Sequence, residues 1–178
     1  MRWATSFQII EERGVGMSNL YQKYRPNSFD EVVGQPLLVT VLRNSLIEDR
    51  LSQAYCFRGP SGVGKTSIAR VFAKTTNCDG EYLYPCRECN ACLRPTEDIL
   101  EIDAATRRGI KDIENLQHEI RFRPKFGYHK FVILDECHQL TTDAMVALLK
   151  TLEEPPAHVI FILCTTQELN FGESKHDN

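Results

Sequence analysis

The segment with the most specific chemistry in this 178-residue chain is Gly59-Pro60-Ser61-Gly62-Val63-Gly64-Lys65-Thr66, with Ser67 directly after it. It satisfies G-x-x-x-x-G-K-[ST] in full and lies between a predicted strand and a predicted helix, the context the motif requires. Glycines at these positions let backbone N–H groups turn inward on phosphate oxygens, and the start of the following helix adds partial positive charge. Lys65 can then reach the β- and γ-phosphates and Thr66 can ligate Mg²⁺. A second apolar run, KFVILDE, ends in Asp135-Glu136. Asp135 is placed to hold Mg²⁺ through water and Glu136 to polarise an attacking water. Against these readings stand two plainer ones, a glycine turn that binds nothing and two solvated carboxylates. Both motifs together predict binding of a Mg²⁺–nucleoside triphosphate, with hydrolysis.

Seven cysteines divide into two groups. Cys78, Cys86, Cys89 and Cys92 crowd together with C-x-x-C spacing, among Gly80, Pro85 and Asn90. Four thiolates so arranged can close a tetrahedral Zn²⁺ site with no open position, so the predicted site is structural. An iron–sulfur cluster would also accept four cysteines. Cys56, Cys137 and Cys164 stand in apolar surroundings and read as buried thiols of a reducing compartment, not as a disulfide framework.

These groups need a scaffold, and the apolar pattern supplies one. AYCFRG, DILEIDA, KFVILDE and VIFILC read as strands. Between them, helices are predicted from Pro36 (Leu38, Val41, Leu42, Leu46), after the glycine loop (Ile68, Val71, Phe72), over GIKDIENLQHEIRF (Ile110, Ile113, Leu116, Ile120) and over TTDAMVALLKTLEE, with Thr142 as N-cap and Pro155-Pro156 as the stop. Alternation of strand and helix predicts an α/β fold with a parallel sheet covered on both faces. Composition agrees: 42% hydrophobic, 25% charged and a net charge of -3, which excludes a wholesale polyanion binder. No apolar stretch is long enough to span a bilayer. Residues 1–19 resemble neither a signal nor a transit peptide and read as a disordered extension, and a cytoplasmic location is expected.

The motifs taken together resemble one family closely. Tyr24-Arg25-Pro26, Val32-Val33-Gly34-Gln35, GPSGVGKTSIAR, the four-cysteine insertion, EIDAA, VILDECH, ALLKTLEEPP and Thr165-Thr166 follow the order of the gamma/tau subunit of the bacterial DNA polymerase III clamp loader, an AAA+ P-loop ATPase. The resemblance runs from about Tyr21 to Thr166, and the cysteine insertion and LLKTLEEPP are more specific than the phosphate loop alone. It implies an AAA+ domain over 20–166 with a zinc module at 78–92, and ATP, Mg²⁺ and Zn²⁺ as cofactors. It further implies that Val33 and Gly34 lie by the adenine and that Thr166 senses the γ-phosphate. The implied partners are other clamp-loader subunits, a sliding clamp, and primer-template DNA reached through the complex. Arg107, Arg108, Lys111, Arg121, Arg123, Lys125 and Lys130 outnumber Asp112, Glu114 and Glu119 in one segment, which could line a DNA chamber or form a solvated basic face.

In the family, the sensor strand is followed by a Ser-Arg-Cys segment, a last sheet strand, a lid with a second arginine, and a collar domain. Residues 167–178, QELNFGESKHDN, match none of these and contain no arginine. The expectation is therefore a form shortened within the ATPase domain, with slow hydrolysis on its own. Two other functions compete with a clamp-loader ATPase: a non-catalytic zinc-stabilised module that binds nucleotide or a partner, and a DExH helicase fragment suggested by Asp135-Glu136-Cys137-His138. The zinc loop and the lack of a serine-alanine-threonine motif argue against the helicase. Polymerase chemistry, a property of the family's holoenzyme, is not encoded, because no two-metal carboxylate cluster for nucleotide addition is present.

Overall fold

Two runs carry no charge between their ends, and they form the centre of the sheet. β3 (Lys130–Asp135) is buried up to its final residue and β4 (Val159–Thr165) throughout, whereas β1 (Ala54–Arg58) and β2 (Ile99–Asp103) are only partly covered. In the computed structural model, which describes residues 24–80 and 83–168, these four strands form one sheet in the order β1-β4-β3-β2. Every pairing is parallel. The proposed N-terminal extension 1–19 and most of the polar tail, from residue 169, lie outside the described residues.

Because alternate side chains of a strand point to opposite faces, each central strand serves two cores. Phe131, Ile133, Ile160, Ile162 and Cys164 pack with Leu42 of α1 (Pro36–Ile47) and with Ile68, Val71 and Phe72 of α2 (Lys65–Thr76). After α3, a single turn at Asn90–Leu93, the other face is covered by α4 (Ile110–Glu119) and α5 (Thr142–Glu153). Val132, Leu134, Phe161 and Leu163 meet Ile113, Leu116, Ala144 and Leu148 there. The predicted α/β architecture with both faces covered is thus the observed one.

The structure corrects several local expectations. Thr141, not Thr142, is the N-cap of α5: its hydroxyl accepts the Ala144 N–H at 3.3 Å, and Thr142 is the first helical residue. Position in the cap is decided by backbone dihedrals, and two adjacent threonines cannot be told apart by type. Ile110 and Val41 stay exposed although they share the apolar spacing of their helices, because they sit at the margin of the buried stripe. Cys56 is exposed, since β1 is an edge strand, while Cys137 and Cys164 are buried as expected.

Between α4 and β3 the chain is held by one carboxylate. Asp98, only 2% exposed, accepts backbone N–H groups from Lys125, Phe126 (2.8 Å) and Gly127 (2.7 Å). Asn77, just past the end of α2, clamps the same loop through His129, donating to its carbonyl at 2.7 Å and accepting its N–H at 3.0 Å. These bonds satisfy buried groups that no strand or helix serves.

Candidate functional site

Parallel strands end at the same edge, and there the sheet gathers residues far apart in sequence. Ladder bonds continue past the strand ends: Gly59 N–H donates to the Thr165 carbonyl at 3.1 Å, and Ala104 N–H to the Asp135 carbonyl at 2.9 Å. The glycine loop therefore leaves β1 beside Thr165-Thr166 and one strand away from Asp135-Glu136. Gly62 (φ 80) and Gly64 (φ 91) adopt left-handed conformations that a side chain would strain, and Gly64 caps α2.

Lys65 is 8% exposed and donates its ammonium to the carbonyls of Gly59 and Pro60, each at 3.0 Å. Thr66 donates its hydroxyl to Asp135 Oδ2 at 2.7 Å. Ser61, Gly62, Gly64, Lys65, Thr66, Ser67, Asp135 and Glu136 line one cavity of about 150 Å³. On the loop's other flank, Gly59, Pro60 and Val63 line a second cavity of about 310 Å³ with Gln35, Leu38, Phe57 and Ile68. Val33 is 97% exposed, and neither it nor Gly34 lines these two cavities, although the neighbouring Gln35 lines the second. Burial pushes the thiols of Cys137 and Cys164, behind this edge, up to about 12, so they remain protonated and inert.

Three side chains of the site had no role on sequence grounds. Arg25 lines the first cavity with its Nε shielded from solvent and without a partner. Arg70 and Glu101 line it too, joined in a bidentate pair. The cavity therefore holds Arg25, Lys65 and Arg70 against Glu101, Asp135 and Glu136, with one pair already neutralised. The signals were faint: Arg25 stood out only within Tyr24-Arg25-Pro26, and Arg70 and Glu101 only as polar members of a helix and a strand. Thr166 bonds His138, through Oγ1 and Nε2 at 3.4 Å.

The cysteine group assembles at the other end of α2. The sulfurs of Cys78, Cys86, Cys89 and Cys92 all lie within 4.8 Å of one another, and those of Cys86 and Cys92 are 3.9 Å apart. Tetrahedral zinc with Zn–S bonds of about 2.3 Å needs S···S edges of about 3.8 Å, a length the Cys86–Cys92 pair already has, so the set could close on that ion. Backbone N–H groups point at the sulfurs, from Gly80 (3.3 Å) and Cys86 (3.2 Å) to Cys78 and from Cys89 (3.3 Å) to Cys86. Such bonds favour thiolate, and those from Cys89 and Glu88 lower the Cys86 thiol to about 6, whereas burial raises those of Cys78 and Cys92. A Cβ on residue 80 would stand 3.2 Å from Cys86 Cβ and 3.3 Å from Cys78 Sγ, which explains the glycine.

The basic segment is less uniform than its composition. Lys130 is buried and donates to the Glu119 carbonyl at 3.0 Å, at the C-terminus of α4, while Lys125 pairs with Glu97. Arg107, Arg108, Lys111, Arg121 and Arg123 remain exposed.

Comparison with known proteins agrees with the fold. The family described as "DNA polymerase III, delta subunit" matches residues 34–171. The tau subunit of DNA polymerase III from Bacillus subtilis is 46% identical over 83% of this chain and 27% of its own length. The Escherichia coli tau subunit is 45% identical over 83% of this chain and 24% of its own. The chain thus spans about a quarter of the length of these relatives. Among solved structures, the Thermotoga maritima RuvB branch migration motor superposes with a TM-score of 0.56 at 18% identity, over 81% of this chain and 42% of that one. A clamp loader delta protein of Bacillus subtilis gives 0.54 at 14%, over 76% and 38%. At such identities the structures speak for the AAA+ fold alone, and the tau relatives for descent. The chain belongs to the DNA polymerase III clamp-loader family, with the tau/gamma subunits as its relatives.

Proposed function

We propose that this chain binds ATP at the glycine loop and serves as the ATPase domain of a clamp-loader subunit. In this reading it couples ATP binding and hydrolysis to the loading of a sliding clamp on primed DNA. The observation that carries the proposal is the Thr66–Asp135 hydrogen bond of 2.7 Å beside the buried Lys65, which joins the two motifs across the sheet edge. On arrival of a triphosphate, Lys65 exchanges two carbonyls for phosphate oxygens. The loop N–H groups supply further donors, and Arg25 brings an unneutralised cation to the same cavity. Thr66 and Asp135 would hold Mg²⁺, which supplies charge neutralisation on the phosphates. Glu136 orients the attacking water, and Thr166 at the end of β4 contacts the γ-phosphate. Val33 and Gly34 would move over the adenine, next to the cavity that Gln35 lines.

Cys78, Cys86, Cys89 and Cys92 would hold Zn²⁺ as a structural ion. Among the described residues no helix is long and apolar enough to cross a membrane. We assign a cytoplasmic site of action, with other clamp-loader subunits, the sliding clamp and primer-template DNA as partners, the last facing the five exposed basic residues of segment 107–123.

The test is equilibrium binding of a fluorescent ATP analogue with Mg²⁺ to the purified chain and to Lys65→Ala. Loss of a charged hydrogen-bond donor should weaken binding at least tenfold. Equal binding by both proteins, or binding by neither, overturns the reading.

A further inference from the structure

His138 is 13% exposed and touches three groups of the site. Its Nδ1 is 3.4 Å from Glu136 Oε2 and 3.3 Å from Thr165 Oγ1, and its Nε2 is 3.4 Å from Thr166 Oγ1. Counting hydrogens assigns the directions of these bonds. The Thr165 hydroxyl spends its one hydrogen on the Gln167 carbonyl at 3.0 Å and accepts the Gln167 N–H at 3.1 Å. Toward His138 it can therefore only accept, and so can the Glu136 carboxylate, so Nδ1 carries the ring hydrogen. In the neutral imidazole Nε2 is then an acceptor, and its bond to Thr166 uses the Thr166 hydroxyl hydrogen.

A hydroxyl has one hydrogen to give. We propose that His138 is a positioning residue that competes with the γ-phosphate for the Thr166 hydroxyl while holding Glu136, an inference that rests on the nucleotide-binding reading above. Triphosphate binding then costs the His138–Thr166 bond, a cost that a diphosphate does not incur. Glu136 feels the same change, because the imidazole that holds it loses a partner. Its backbone sits at φ 47, a left-handed conformation unusual for a side-chain-bearing residue, and the His138 contact helps to hold the carboxylate there.

The experiment compares ATP and ADP affinity, with Mg²⁺, in the full chain and in His138→Ala. Freeing Thr166 should raise the ATP-over-ADP affinity ratio roughly three- to tenfold with ADP affinity unchanged, the effect of one hydrogen bond. His138→Gln, which offers an acceptor to Thr166 and a donor to Glu136, should restore the original ratio. In a Thr166→Val background the His138 substitution should change nothing. If His138→Ala no longer binds ADP, the ratio is read from His138→Phe, which fills the space and keeps neither ring nitrogen. An unchanged or lowered ratio, or the same rise without the Thr166 hydroxyl, overturns the role of His138 while leaving ATP binding intact. If the unaltered chain binds neither nucleotide, the functional reading falls and this inference with it.

Discussion

At the N-terminus of α2, Lys65 is almost enclosed and held by two carbonyls. At the other end, Cys78 opens a loop in which Cys86, Cys89 and Cys92 are all partly exposed. The phosphate loop is organised by its neighbours, with β1 and β4 clamping its entry and Asp135 tying its exit. The cysteine loop has few apolar anchors: of residues 83–94, only Pro85 and Ala91 are buried. One end of the helix is therefore shaped before any ligand arrives, while the other, in the zinc reading proposed above, would draw from an ion the order that burial does not supply.

If zinc is bound as proposed, removing it is the strongest way to break this comparison. Structural zinc in peptide sites of this kind contributes on the order of 10 kcal/mol. A strong chelator, or Cys86→Ser with Cys89→Ser, should release one ion per chain and abolish hydrogen-exchange protection around residues 86–93. Nucleotide affinity should stay within about threefold, since the loop at the other end of α2 is clamped by the sheet. A parallel fall in nucleotide affinity would mean that the two ends of the helix act as one unit.

Asp98→Ala sharpens the contrast from the side of the protein's own bonds. It leaves three backbone donors of residues 125–127 unsatisfied and should cost roughly 3 kcal/mol in urea denaturation, with Asp98→Asn milder because its carbonyl still accepts. Through His129 and Asn77 the disturbance reaches the cysteine end of α2, so metal affinity should fall more than nucleotide affinity. The smallest effect is expected from Thr141→Ala. This variant removes the α5 cap and about 1 kcal/mol of stability. Metal content and nucleotide affinity should be those of the parent, because α5 carries neither site, and a change in either would show that the far layer supports them.

How far these features could be read in advance depended on their span along the chain. The four strands, the four long helices and the order of layers followed from apolar periodicity, because burial of a face imposes period two or 3.6 whatever the partner. Misjudged positions were marginal ones: Ile110 and Val41 have the right spacing, yet whether a stripe's edge is covered depends on the width of the neighbouring element. Cys56 looked buried because its run is apolar, and only the strand order shows that β1 is an edge. Asp98 carried no signal at all, since a charged residue before a strand usually faces water.

The sequence by itself determined the chemistry available at each end of α2. A phosphate loop and a C-x-x-C cluster are built from residues contiguous in the chain, and their turns are dictated by glycine dihedrals and thiolate spacing. Only the tertiary structure decided what those groups meet. The tertiary fold brings Asp135 to Thr66, Arg25 to the cavity beside the glycine loop, and His138 between Glu136 and Thr166. The reason is that hydrogen bonds between distant segments depend on strand order and register, which the whole core settles together and no local pattern records.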